Sequence, residues 1–222
     1  KRNVSELHFI SGENLYDQPF ETFVRVGNRY EEKVIRVSFS PTRKYQIDSV
    51  SYDWSQFSSF DYMLEPVEQV EVNTLDASSP ATVYFYPYKN SARIVEFYMQ
   101  YGGWGGDEND LRKLLGDAAS QVEIPDIVSG TPGLYGTKVS FCHHEQRLDA
   151  GLDKELKVSK TVEAGKHVRL EVYNGIEQYH VPYKAYLSNS LTGKKLEISG
   201  TLSSKRPFNY LIIPIAITDE DK

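Results

Sequence analysis

Val168-Arg169-Leu170-Glu171-Val172 and Val181-Pro182-Tyr183-Lys184-Ala185-Tyr186-Leu187 are the two stretches that decide the fold. In the first, Val168, Leu170 and Val172 alternate with two charged residues. In the second, Val181, Tyr183, Ala185 and Leu187 occupy every other position. Such a period of 2 turns one face to a core and the other to water, as in a half-buried β-strand. Working outward, Leu196, Ile198, Gly200 and Leu202 repeat the pattern, and so do Ile35, Val37 and Phe39 with Arg36 and Ser38 between them. Turn chemistry at Ala164-Gly165, Asn174-Gly175, Thr192-Gly193 and Arg206-Pro207 is expected to separate the later runs. The last 60 or so residues therefore read as a series of antiparallel strands.

Shorter strands are predicted over 6–10, 20–26, 45–52, 67–75, 82–86 and 92–101. One helix is expected: Asp107 can cap it, and Leu111, Leu114, Leu115, Ala118 and Val122 fall on one face. Gly116 inside it would weaken it by about 1 kcal/mol relative to Ala. Flanked by Gly102 to Gly106 and by Pro125, this segment reads as a core-covering helix or as a movable insertion held against a sheet. Alternation lapses over 55–65, which sets an expected boundary between an N-terminal β lobe, 1–64, and a second region, 65–222.

Composition agrees with a β protein. Of 222 residues 16 are Tyr and 10 are Phe, residues that suit pleated surfaces. The net charge of −6 leaves no basic stripe to neutralise phosphates, so nucleic acid is not an expected partner. Cys142 is the sole cysteine, so no intrachain disulfide can form, and its expected role is that of a small buried apolar residue. No run approaches the ~18 apolar residues of a transmembrane helix. The chain opens with Lys1-Arg2, as a processed or truncated product would, and Asn3-Val4-Ser5 is a glycosylation sequon, which fits a secreted protein.

Motifs that carry chemistry are missing. His143-His144-Glu145 holds metal-ligand types, but neighbours on a strand point to opposite faces and cannot share an ion. Cys142 lacks the setting of a nucleophile, no Gly-x-Ser-x-Gly elbow occurs, and Gly102 to Gly106 lead to no Lys-Ser/Thr pair. No catalytic, cofactor or metal site is expected. His167 and His180 would form a pH-sensitive pair if they met in space.

The stretch Val158-Ser159-Lys160-Thr161-Val162-Glu163-Ala164-Gly165-Lys166-His167-Val168 and its continuation to Val172 resembles the strand–turn–strand of the aerolysin and ETX/MTX2 family of β-pore-forming proteins. Val181-Pro182-Tyr183 is similar to that family's Val-Pro-Tyr step, and Ser199-Gly200-Thr201-Leu202 to its Gly-Thr segment. Upstream, Val72-Asn73-Thr74-Leu75, Thr82 to Tyr86, and Val122-Glu123-Ile124-Pro125 with Ile127-Val128-Ser129-Gly130 resemble the strands around its pore-forming hairpin. The resemblance covers about residues 65–218. It implies an elongated, all-β, aerolysin-like protein with long twisted strands. Such a protein is secreted, binds membrane lipid or a cell-surface receptor such as a glycan, and assembles into a homo-oligomer. It then inserts hairpins that close into a barrel, because unpaired backbone cannot be left in lipid.

The implied pre-stem spans 98–140, with Tyr98, Tyr101, Trp104, Leu111, Leu114, Leu115, Val122, Ile124, Ile127 and Val128 as membrane-insertion residues. This segment departs from the family pattern, since charges between Asp107 and Lys113 sit badly on a lipid face. Receptor contact would fall to Tyr52, Trp54, Phe57 and Phe60, whose other reading is core packing. A non-lytic relative is the second form of this reading. An extracellular β-sandwich that binds or adheres without insertion is the alternative.

Overall fold

The computed structural model describes residues 12–42, 44–99, 108–116 and 120–217. Twelve strands and one α-helix follow in order: β1 Phe20–Gly27, β2 Glu32–Phe39, β3 Gln46–Tyr52, β4 Ser58–Asn73, β5 Ala81–Phe85 and β6 Arg93–Met99, then helix α1 Glu108–Leu115. After it come β7 Gln121–Val128, β8 Thr131–Ser140, β9 Gln146–Leu148, β10 Val158–Val162, β11 His167–Ser188 and β12 Lys195–Ala216. The protein is all-β with long antiparallel strands, as expected. Among the described residues no helix is long and apolar enough to cross a membrane, a finding that does not bear on crossing by strands.

The largest sheet runs β3-β11-β12-β6-β9, with β4 also paired to β11; β1–β2, β5–β10 and β7–β8 form two-stranded sheets. The chain divides into two units assembled from separate segments. One takes residues 1–50, 101–141 and 185–198, the other 51–100, 142–184 and 199–222.

In the second unit, Val72, Phe85, Val162, Leu170 and Val172 form a buried cluster between the β4–β11 ladder and the β5–β10 ribbon. Two sheets that each bury one face over such a cluster make a local sandwich. Phe97 and Tyr183 are buried in the same unit and meet edge to face, ring centroids 5.3 Å apart. Buried Thr74 fixes the turn before β11: its hydroxyl donates to Glu163 O at 2.6 Å and accepts from Lys166 N at 3.0 Å. Gly165 completes that turn at φ 73°, a conformation that costs a residue with a Cβ.

In the first unit Leu15, Tyr45, Leu111, Leu114, Val122, Ile124, Val139 and Phe141 are buried. The Tyr45 hydroxyl donates to Glu13 at 2.6 Å. Burial first, and the Glu13 carboxylate second, hold that phenol's ionisation well above the ordinary tyrosine range. Burial alone would raise the Glu13 carboxyl, but hydrogen bonds from Tyr45, Lys194 and Thr192 outweigh it and hold the group below its usual value.

Two expected turns are strand. Asn174-Gly175 and Arg206-Pro207 lie inside β11 and β12, each 22 residues long. Asn209 packs over Gly175: a Cβ there would stand 1.9 Å from Asn209 Oδ1, so that side chain would have to move. Pro207 follows Lys205, the last β12 residue paired with β6, so its missing N–H breaks no bond to that neighbour. The helix is also shorter than its pattern. It ends at Leu115, Gly116 follows at φ 82°, and Val122 is on β7; a left-handed glycine after the last turn is a helix stop. Asp107 and Ala118 lie outside the described residues, as does the strand predicted over 6–10. β4 runs straight through 58–65, where alternation lapses, because register shifts opposite Val172/Tyr173 and Ile176/Gln178 break the period.

Candidate functional site

Two surfaces present apolar and aromatic side chains to solvent. The first is the β1–β2 hairpin in the first unit. Its register pairs Phe20 with Phe39, Thr22 with Val37, Val24 with Ile35 and Val26 with Lys33. Alternation therefore gathers three Val, two Phe, Ile35 and Thr22 on one face, with a single charge, Lys33, near the tip. Phe20 and Phe39 stack at 5.9 Å. The opposite face holds Glu21, Arg25, Glu32 and Arg36, paired as Arg36–Glu21 at 2.5 Å and Arg25–Glu32 at 3.3 Å. Phe23 and Val34 are the apolar members of that charged face.

Both faces of the hairpin carry exposed residues: Phe20 is 57% exposed, Phe23 64%, and Val26, Val34 and Ile35 are also open to solvent, while Thr22, Val24, Val37 and Phe39 on the apolar face are half-buried. Its tip is a built turn, with Asn28 Oδ1 accepting from Tyr30 N at 2.8 Å and Glu31 N at 3.1 Å. Tyr30 projects 81% exposed from it under the Arg29 guanidinium.

The predicted insertion segment is different in kind. Leu111, Leu114, Leu115, Val122 and Ile124 are buried, Ile127 is half-buried, and Tyr98 and Val128 are exposed. Tyr101 and Trp104 lie outside the described residues. The 121–140 part is a hairpin turned by Ser129 and Gly130 at φ 51° and 77°. A register shift between Glu123 and Pro125 breaks its alternation, so Ile124 and Pro125 are both buried.

The second surface is an aromatic file in the second unit. Trp54 meets Tyr52 edge-on at 6.2 Å and stacks on Phe57 at 6.0 Å; Phe57 stacks on Tyr179 at 5.1 Å. Phe60 meets His180 at 6.2 Å. Tyr52 and Tyr179 are buried, whereas Trp54 and Phe60 are 43% and 55% exposed. The core-packing reading thus holds for Tyr52, while Trp54 and Phe60 present rings to solvent. Asp53 shapes the turn: its carboxylate accepts from Ser55 Oγ at 2.5 Å and Gln56 Nε2 at 2.8 Å. The Ser55 hydroxyl, chiefly, holds that carboxyl below the usual range. A cavity of about 410 Å³ lies alongside, lined by Tyr52, Asp53, Gln56, Pro182 and Lys184 among others.

No group of three or more possible metal ligands occurs among the described residues. His143 and His144 sit in a bend rather than on a strand, and Cys142 is buried with its Sγ 3.6 Å from His144 Nε2. His167 opens β11 and pairs with Glu71. His180 lies about 40 Å further along the same extended strand, so the two do not form a pair. Sequence reading found β1 and most of β2 but missed that they pair. The available signal was complementary parity, apolar residues at 20, 24 and 26 against 35, 37 and 39.

No family model and no curated protein matches the chain. Among solved structures it is similar to lamprey immune protein, at 16% identity and TM-score 0.43 over 83% of this chain. The chain spans 57% of that protein's length. It is also similar to Mpp75Aa1.1, a β-pore-forming protein from Brevibacillus laterosporus, at 9% identity and TM-score 0.39, covering 92% of this chain and 81% of that one. A third similar structure is parasporin-2, a Bacillus thuringiensis toxin that recognises cancer cells, at 11% identity and TM-score 0.36, covering 82% and 83% of the two chains.

Proposed function

We propose that this is a β-pore-forming protein, or a non-lytic relative of one, that engages a cell surface, oligomerises and inserts β-hairpins into the bilayer. The observation that carries the reading is the two-faced β1–β2 hairpin. One face is apolar and partly open to solvent, and the other holds cross-strand ion pairs. A barrel stave needs that division, with apolar side chains on lipid and polar ones on the lumen. Eight residues per strand span about 26 Å, close to the ~25 Å apolar band of such barrels. A tilted stave uses about 9–11 residues, so one or two flanking residues on each side would have to join.

Energetics favour 20–39 over 98–140 as the first segment to insert. Drawing out Leu111, Leu114, Leu115, Val122 and Ile124 would expose five buried side chains, on the order of 10 kcal/mol before any lipid contact. The hairpin's apolar face has no fully buried residue: Phe20, Val26 and Ile35 are exposed and Val24, Val37 and Phe39 half-buried. Trp54 and Phe60 serve as receptor contacts in this reading, with the N-terminal 1–64 region as the surface-binding part. No cofactor takes part, and the site of action is extracellular.

Dye release from liposomes, with gels for SDS-resistant oligomers, tests the reading. Single cysteines carrying a polarity-sensitive dye are placed along 20–39 and 98–140 in a Cys142→Ala background. Leakage with blue shifts at alternate positions of 20–39 is expected. Leakage with lipid contact only in 98–140 would transfer the stave to that segment. No leakage and no oligomer under any activation would leave an extracellular β-sandwich that binds without inserting.

A further inference from the structure

We propose that the open edge of β12 pairs with the same edge of a second copy, antiparallel about Ile212, so that the protein is a two-fold dimer in solution. The inference is independent of the pore reading, since no lipid takes part.

Composition is the first observation. Between Arg206 and Asp219 the chain carries no charge, and Tyr210-Leu211-Ile212-Ile213-Pro214-Ile215-Ala216-Ile217 is apolar or aromatic at every position. A strand with one wet face alternates, whereas an unbroken apolar run suits a strand covered on both faces. This run is not so covered. Ile212 packs against the Val72 cluster, yet Phe208, Tyr210, Leu211, Pro214 and Ala216 are exposed.

The edge is open as well. β12 lies between β11 and β6, and its ladder to β6 ends at Lys205. Among the described residues no other strand pairs with that side of β12. Tyr88 meets the Tyr210 ring edge to face, centroids 5.8 Å apart, a side-chain contact that makes no ladder. Ile217 N donates to His167 O at 2.9 Å, so alternation turns the backbone groups of Ala216, Pro214, Ile212 and Tyr210 away from β11. Pro214 therefore stands on the side with no ladder bond to lose, where strands tolerate proline.

Comparison with the opposite edge of the sheet fixes the occupant. β4 flanks β11 on its other side and carries Glu65, Glu68 and Glu71, with Pro66 among them; charges and proline are how edges resist pairing. β4 against β4 would set like charges side by side, and β4 against β12 would set them beside Leu211 and Ile213. β12 against itself opposes no charge to another. The charge-free stretch 207–217 is centred on Ile212, whose backbone faces out. An antiparallel self-pair about that residue overlaps the whole stretch, Phe208 opposite the partner's Ala216 and Tyr210 opposite the partner's Pro214. The two-fold axis closes the assembly at two copies.

Sedimentation velocity of the full chain without lipid, from about 1 to 100 μM, should show a dimer with a Kd of about 10 μM. Leu211→Lys should weaken it by about tenfold or more. Leu211 is exposed, so the far-UV circular dichroism of that variant should match wild type. In a Cys142→Ala background, an oxidised mixture of Phe208→Cys and Ala216→Cys chains should give a disulfide-linked dimer, and neither chain alone should. A monomer throughout the range, or a dimer that Leu211→Lys leaves intact, overturns the proposal. Linkage of Ala216→Cys to a cysteine on β4 rather than to Phe208→Cys would give the edge to head-to-tail chain growth. A monomer that enters neutral detergent micelles through Leu211 would give it to lipid; either result also overturns the self-pair.

Discussion

Single glycines and single carboxylates set the tolerances of this protein. A Cβ on Gly200 would lie 2.1 Å from Tyr98 O and 2.9 Å from Met99 Cα and the Tyr183 hydroxyl. Two of these atoms are backbone in the paired strand and cannot step aside. Gly200→Ala should therefore destabilise by about 1–3 kcal/mol, seen as a lower urea midpoint at unchanged slope. Gly193 meets nothing within 4 Å but has φ 70°, so Gly193→Ala should cost only about 1 kcal/mol; equal losses at the two sites would contradict this geometry.

Glu13 is the acid switch of the first unit. Its carboxyl titrates below the ordinary value of 4.5, so the ionised form is the one the folded state favours. Its contribution is complete above the unfolded value and is lost as pH falls through the lower folded one. Glu13→Gln should be less stable than wild type near neutrality, and the gap should narrow as pH falls below the ordinary 4.5 toward the lowered folded value. A gap that stays constant across that range in urea titrations would show that the charge is not the source.

At the scale of elements, the hairpin makes the sharpest prediction. Val24→Lys puts a charge on the apolar face, where a lipid-facing cation costs about 2–4 kcal/mol near the bilayer midplane. Dye release should fall by tenfold or more, whereas Phe23→Ser on the charged face should leave it within about twofold. The reverse order of effects would mean that the apolar face does not meet lipid.

How much of this was legible beforehand depends on the element. β11 and β12 could be read because alternation is a local property of the chain, and their buried faces keep it. Their continuity could not: Asn174-Gly175 and Arg206-Pro207 carry turn composition, and only the pairing of Asn174 and Gly175 with Glu65 and Leu64 of β4, and the end of the β6 ladder before Pro207, show how they stay extended. The helix was legible in its leucines but not in its end, which the backbone at Gly116 decides. Among the surface sites, the aromatics at 52–60 could be named, while their division into buried Tyr52 and exposed Trp54 is a tertiary fact.

For the molecule as a whole, the net charge of −6 sets the lipid preference. Anionic vesicles repel such a protein, and each basic residue near an anionic surface supplies only about 1 kcal/mol of attraction. Leakage from zwitterionic vesicles should therefore equal or exceed leakage from phosphatidylserine-rich ones at low salt, and the difference should shrink as salt rises. A strong requirement for anionic lipid would point instead to a local basic patch as the docking surface.

The β1–β2 ribbon also has a consequence for handling the protein. Paired only with each other among the described residues, both strands keep an outer row of backbone donors and acceptors, which is a template for adding further strands. Copies joined edge to edge through a rotation that closes give a finite ring, and copies joined without closure give an open filament. Concentrated stocks are thus expected to drift toward fibrils with the ~4.7 Å strand repeat. Assembly on a flat bilayer, by orienting every copy alike, would favour the closed product over the thread.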